Sequence, residues 1–179
     1  YYTFIGNSSL QPEYVHQVDL GVTYRYQKAG KVLESMGVQA DAYYNYVTNK
    51  IVSTPAANPF RWQMMNIGKV RIIGADVSLD MGLRWCEDWT LDLKATYTFT
   101  QAQDITRPES PYYGGQIPYT PWHSLSALLQ LGYQSWHLHY SFIYTGDRYM
   151  QSANIPANYV EPFSTHDLSL SKEFAYKRC

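Results

Sequence analysis

The sequence predicts an all-β fold, the antiparallel wall of a transmembrane β-barrel, built here from about seven strands. Three observations predict it. Long segments alternate polar and apolar residues with period two. The apolar face of these segments ends in aromatic rings. Short and long links alternate along the chain.

The first strand runs from Glu13 to Gln27 and sets Val18, Leu20, Val22, Tyr24 and Tyr26 against Gln17, Asp19, Gly21, Thr23 and Arg25. The second, Ser35 to Lys50, sets Met36, Val38, Ala40, Ala42, Tyr44 and Tyr46 against Gly37, Gln39, Asp41, Tyr43 and Asn45. The third spans Asn66 to Leu83, with Ala75, Val77, Leu79, Met81 and Leu83 opposite Asp76, Ser78, Asp80 and Gly82. In the fourth, Trp89 to Thr100, Trp89, Leu91, Leu93, Ala95, Tyr97 and Phe99 alternate with Thr, Asp and Lys. The fifth, Trp122 to Tyr133, carries Leu125, Ala127, Leu129 and Leu131 on one face. The sixth, Trp136 to Thr145, places His137, His139 and Ser141 opposite Trp136, Leu138, Tyr140, Phe142 and Tyr144. The seventh, Phe163 to Phe174, has Leu168 and Leu170 on its apolar face.

Several of these runs exceed the ~5–6 residues of an ordinary strand and reach the ~9–11 that a tilted membrane strand needs. The short links are Lys28–Glu34, Arg84–Asp88 and Gln134–Ser135; the long ones are Ile51–Met65, Ala102–Pro121 and Gly146–Pro162. Outer-membrane barrels have short periplasmic turns and long extracellular loops. Odd-numbered strands therefore run toward the periplasm, and the long links share one side.

Composition agrees. The 179 residues carry a net charge of -1 and include 18 Tyr and 5 Trp, while only 16% are charged. The charge gives no basic patch for nucleic acid. Tyr-rich chains suit a membrane interface, where a ring lies in apolar surroundings and its hydroxyl in water. The same aromatic content also fits a secreted β-sandwich that binds carbohydrate, whose apolar faces would meet in a core. No stretch is long and apolar enough for a membrane helix, so a spanning chain must close its backbone in a barrel. The chain opens with Tyr1-Tyr2-Thr3-Phe4-Ile5, without a signal-peptide pattern, and is expected to be a piece of a longer protein. Cys86 and Cys179 lie at the ends of different strands, and no disulfide between them is expected.

Chemistry-bearing clusters are sparse. His137 and His139 share a strand face, but no third metal ligand accompanies them. Asp19, Asp41, Asp76, Asp80 and Asp92 line the polar face, as a wet interior permits. The sequence has no phosphate loop, Cys-x-x-Cys or Gly-x-Ser-x-Gly. Asn7-Ser8-Ser9 is only formally a glycosylation acceptor, and Gly114-Gly115 reads as a turn. No enzyme and no cofactor are expected. The candidate ligand contacts lie in the long links: Arg61 and Trp62, Tyr112 and Tyr113 with Arg107, and Arg148 with Tyr149. Arg and aromatic groups together suit a planar or anionic ligand.

Six short elements resemble TonB-dependent outer-membrane receptors, in order and at similar spacing. They are Asn7-Ser8-Ser9-Leu10-Gln11-Pro12-Glu13, Tyr44 to Ile51, Asn66-Ile67-Gly68-Lys69-Val70 with Ile73-Gly74-Ala75-Asp76, Tyr97 to Ala102, Ile117-Pro118-Tyr119-Thr120-Pro121, and Tyr144-Thr145-Gly146-Asp147-Arg148-Tyr149. Asp76 stands where Glu is commoner in the family. The likeness is strongest to the branch of cobalamin and iron-chelate receptors. It implies a barrel of about 22 strands, of which residues 1–179 form part of one domain. The N-terminal plug and the last two strands would lie outside this chain. It further implies a Gram-negative-type outer membrane, TonB-coupled uptake of a cobalamin, siderophore or haem complex, and contact with TonB through the missing N-terminal part. Beyond lipid, nutrient and TonB, open strand edges would let the isolated piece self-associate.

Overall fold

The computed structural model describes residues 3–28, 32–56, 61–86 and 88–174. Its strands are β1 (Thr3–Ile5), β2 (Tyr14–Gln27), β3 (Leu33–Thr48), β4 (Ile51–Pro55), β5 (Arg61–Asn66), β6 (Lys69–Trp85) and β7 (Trp89–Asp104). They continue with β8 (His123–Tyr133), β9 (Trp136–Thr145), β10 (Arg148–Tyr149), β11 (Tyr159–Val160) and β12 (Phe163–Lys172). Seven of them form one antiparallel sheet in the order β2-β3-β6-β7-β8-β9-β12. Each neighbour in this sheet is also the next long strand in the chain, as in a barrel wall. Among the described residues the other two sheets are short pieces of three and two strands, so the seven long strands do not divide into the two sheets of a carbohydrate-binding sandwich.

The predicted strands match these seven closely, and β6 and β7 reach 17 and 16 residues. The register carries each apolar row across the sheet. Tyr24, Val38, Leu79, Ala95, Ala127 and Phe142 are successive partners, as are Met81, Leu93 and Leu129. Asp92 and Gln130 pair on the opposite face. A slip of one residue would exchange the two faces everywhere. The apolar face is not a core: Leu20 and Leu168 are 73% and 70% exposed.

Beside two short turns, the outward rings form a row. Trp85 stacks on Trp89 with centroids 5.9 Å apart, and Trp89 meets Tyr133 at 4.4 Å. Tyr133 pairs with Trp136, and the Lys172 ammonium lies 4.6 Å from the Trp136 ring. Such a girdle belongs at a membrane–water boundary. Cys86 is exposed in the β6–β7 turn; Cys179, and the pairing considered for it, lies outside the described residues.

The lumen face is polar and locally paired. Asp41 and Asp76 stand directly opposite each other. Gln39 Nε2 donates to Asp41 at 2.8 Å and Thr98 Oγ1 donates to Asp76 at 2.6 Å, offsetting the like-charge contact. Gly74 explains one family-like glycine. The Tyr43 ring lies where a Cβ on residue 74 would stand, and its hydroxyl reaches Thr100 Oγ1 at 3.2 Å.

The three long links leave from one edge of the sheet, as expected, but they are not plain loops. Residues of Ile51–Met65 form the hairpin β4–β5, with β1 added in parallel to β5. The third link contains the β10–β11 pair. Ala102–Pro121 departs furthest from a solvent-facing loop. Ala102 to Asp104 belong to β7, and Gln116 and Ile117 are buried. Alternation with period two does not reveal such structure, because its determinants are single polar side chains.

The two faces differ in what they tolerate. In the full barrel, Leu93→Arg should destabilise by about 2–4 kcal/mol in denaturant unfolding, and Thr96→Arg by much less. Equal losses would contradict a wall with one lipid face.

Candidate functional site

The loop-side end of the sheet gathers residues that are distant in sequence. At the junction between the wall and the β4–β5 hairpin, Asn49 and Gly68 have φ of 56° and 91°. Asn tolerates this left-handed region, and glycine favours it. The jog is closed by Lys50 N–H to Gly68 O and by Ile67 N–H to Lys50 O, at 3.0 and 2.8 Å.

The segment before β2 is clamped to this jog. Asn7 Nδ2 donates to Met64 O, and Asn7 Oδ1 accepts from Ser9 N–H, both at 2.9 Å. Asn66 accepts from Gln11 N–H at 2.9 Å and donates to Gln11 O and Asn49 O at 3.0 and 2.7 Å. Glu13 accepts the Ile51 N–H at 2.6 Å and pairs with Lys50 at 3.0 Å. Burial raises the Glu13 pKa, but the Ile51 N–H and Lys50 outweigh it and hold the carboxyl below its ordinary value. The family-like elements at Asn7–Glu13, Asn49–Lys50 and Asn66–Gly68 are therefore one structural joint.

A second joint anchors the long loop after β7. Residues 114–117 return beside β7: Gly114 N–H bonds Asp104 O, Asp104 N–H bonds Gly115 O, and Ile117 N–H bonds Ala102 O. Gln116 is fully buried. Its Oε1 accepts the Ala102 N–H at 2.8 Å, and its Nε2 donates to Thr100 O and Thr120 O at 2.9 and 3.2 Å. The side-chain amide thus takes the place of a neighbouring strand where the chain swings away. Removing it would leave buried backbone groups unpaired, at about 1–3 kcal/mol. Ile117 packs with Val47, Val70 and Ala102, a small core on the lumen face. Asn154 ties the third link to this joint by accepting from Gln116 N–H at 2.5 Å and donating to Gln116 O at 3.0 Å.

The candidate ligand residues divide between two places. Tyr112 and Tyr113 are about half exposed and line an open cleft of about 470 Å³ with Arg107, Met65, Asn66 and Ser152. Trp62 and Tyr149 instead join loop to loop. Trp62 meets Tyr119 with centroids 5.4 Å apart, Tyr119 N–H bonds Tyr149 O at 2.8 Å, and Tyr149 meets Tyr159 edge-on at 5.7 Å. Arg148 lies over the Phe163 ring at 5.3 Å. Arg61 is exposed and paired in β5 with Thr3 and Ala56. Gln116 and Asn154 escaped sequence reasoning. Gln116 falls just before the Ile117–Pro121 element, and that adjacency is the only signal of its role.

His137 and His139 have ring centroids 6.5 Å apart, with His137 Nε2 3.9 Å from Glu173. Among the described residues no group of three His, Cys, Asp or Glu side chains is placed to hold a metal.

The acid dependence of the first joint follows from Glu13. Its pKa is depressed, so its stabilisation is present above the unfolded value and is lost as pH falls through the folded value, below about 4.5. In urea unfolding of the full-length protein, Glu13→Gln should therefore cost stability at neutral pH, and the cost should shrink at acid pH as the carboxyl takes up its proton. An equal cost at both pH values would show that the carboxylate charge does not matter.

Comparison with known proteins places this geometry. A family model described as "TonB dependent receptor-like, beta-barrel" matches residues 1–178. No curated protein matches the sequence. Among solved structures, the chain is similar to the copper transporter OprC, with 14% identity and a TM-score of 0.62 over 93% of this chain and 24% of that one. It is similar to the siderophore receptor PiuA from Acinetobacter baumannii, with 15% identity and a TM-score of 0.64 over 90% and 22%. A mutant of the ferric enterobactin receptor PfeA from Pseudomonas aeruginosa gives 16% identity and a TM-score of 0.56 over 96% and 25%. The chain thus spans about a quarter of the length of these structures, and at such identities the likeness shows a shared fold alone.

Proposed function

We infer that this chain, which belongs to the TonB-dependent receptor β-barrel family, is the wall and part of the capture surface of an active importer. Members of that family are transporters of the Gram-negative outer membrane, not enzymes. The match over residues 1–178 carries the reading, and the two-faced sheet supports it. In this reading the whole protein binds a small nutrient complex of siderophore, cobalamin or haem type. TonB, acting through parts outside residues 1–179, drives its passage. The chain contributes about seven strands to a barrel of about 22. In this reading the other strands of that barrel, the last two among them, and a plug belong to the whole protein. In the intact receptor, other strands cover the free edges of β2 and β12; in isolation those edges favour self-association.

The ligand is captured at the loop-side end. Arg107, Tyr112 and Tyr113 offer charge and ring faces around the open cleft, which suits an anionic or planar chelate. Trp62, Arg148 and Tyr149 hold the loops in place, and Arg61 is exposed on β5. This divides the sequence-derived set into contact residues and supports.

Uptake of a labelled ferric chelate or cobalamin by cells carrying the full receptor tests the reading. Without TonB, or without a proton-motive force, import should stop while surface binding persists. Replacing residues 107–113 by a Gly/Ser segment of equal length should weaken surface binding and leave barrel assembly intact, because loops tolerate change better than strands. Import that continues unchanged without TonB would overturn the transport reading.

A further inference from the structure

In the loop-side half of the paired strands the outward positions hold Lys69 and Arg71 and no carboxylate. The spanning acids Asp19, Asp41, Asp76, Asp80, Asp92 and Asp167 all fall on the lumen side of the register. Lys69 and Arg71 fall on the other side, two residues apart on β6, and so share one face. Two cross-strand rows surround them. One runs Tyr14–Thr48–Lys69, and the next runs His16–Tyr46–Arg71–Gln103. Strand spacing makes this a patch of about 10 by 7 Å around the two cations.

Arg71 is held but not saturated. Its Nη2 donates to Gln103 Oε1 at 2.6 Å, and its Nε is buried with no hydrogen-bond partner among the described residues. No carboxylate among the described residues pairs with Lys69 or Arg71. The row on the turn side of the patch is apolar: Val18, Tyr44 and Ile73 are successive partners, and all three are exposed. A cationic pair with hydroxyls above an exposed apolar strip matches an amphiphile with an anionic head. A fixed guanidinium beside an ammonium favours phosphate, which accepts several charge-assisted hydrogen bonds at once.

We propose that Lys69 and Arg71, with Tyr14, Thr48, His16 and Tyr46 around them, bind the phosphate of a phosphorylated lipid. Its acyl chains lie along the Val18–Tyr44–Ile73 strip, in the leaflet that meets the long loops. The inference rests on the outer-membrane reading of the wall. It adds a lipid site on the outside of the barrel, away from the nutrient cleft.

The full receptor in detergent, titrated with bisphosphorylated lipid A and read by native mass spectrometry, tests the proposal. Wild type should bind this lipid, and the dephosphorylated lipid should bind at least about tenfold more weakly. The double variant Lys69→Gln/Arg71→Gln should lose about tenfold or more in affinity, while Lys94→Gln on the lumen face should bind as wild type does. Excess inorganic phosphate should not displace the lipid. Compact migration on an unheated gel shows that each variant is folded. If the double variant fails to assemble, Lys69→Gln alone, at an exposed position, should still weaken binding. Equal binding by wild type and the folded variant, or equal binding of the dephosphorylated lipid, would overturn the site. Displacement by phosphate alone would overturn it in favour of a simple anion site. TonB-dependent import, measured separately, should be retained in the double variant, so failure of the transport reading and failure of the lipid site are distinguishable.

Discussion

The structure depends on one constraint: the backbone of a membrane wall must satisfy its own hydrogen bonds. Lipid offers no donors or acceptors, so every interior N–H and C=O has to find a partner along the sheet. Between neighbouring strands the ladder from β2 to β12 meets this requirement, with one register shift at Leu33–Ser35 beside a short turn. The difficulty arises where strands end at the long links. There the chain leaves the ladder, and polar side chains take over its role.

Gln116 is the clearest case. Its amide bonds the Ala102 N–H and the Thr100 carbonyl of β7, groups that a neighbouring strand would otherwise satisfy. Glu13 does the same for the Ile51 N–H, and Asn66 does it for the carbonyls of Gln11 and Asn49. These joints tie the loop-side rim to the wall. They hold the β4–β5 hairpin and the loop after β7 over the sheet edge, and with them the cleft near Tyr112 and Tyr113. Rigid anchorage beneath an exposed, ring-rich surface is how a scaffold presents a binding loop.

Much of the wall was legible in the sequence, because a two-faced strand in lipid and water writes its environment residue by residue. Leu93 and Asp92 differ for that reason, and so do their partners Leu129 and Gln130. The ring row at Trp89 and Trp136 was legible for the same reason. Boundaries shifted by a few residues, as with the fourth strand, which continues past Thr100 to Asp104. The rim was hardly legible. The hairpin β4–β5 is too short and too mixed to show a period, and the buried Gln116 looks like any loop glutamine. Of the candidate ligand residues, Tyr112 and Tyr113 share a cleft, whereas Trp62, Arg148 and Tyr149 have packing partners that no local pattern announces. The family-like elements marked these joints without explaining them, and the hydrogen bonds supply the explanation.

The central claim is that a single sheet separates lipid from water with period two. Its most direct test is site-directed spin labelling along β7 in the full receptor, reconstituted in bilayers. Collision rates with oxygen and with a water-soluble nickel chelate are measured at each position from Leu91 to Thr98. The wall predicts oxygen maxima at Leu91, Leu93, Ala95 and Tyr97, with nickel maxima at Asp92, Lys94, Thr96 and Thr98. Two profiles in phase with each other, or without period two, would contradict it.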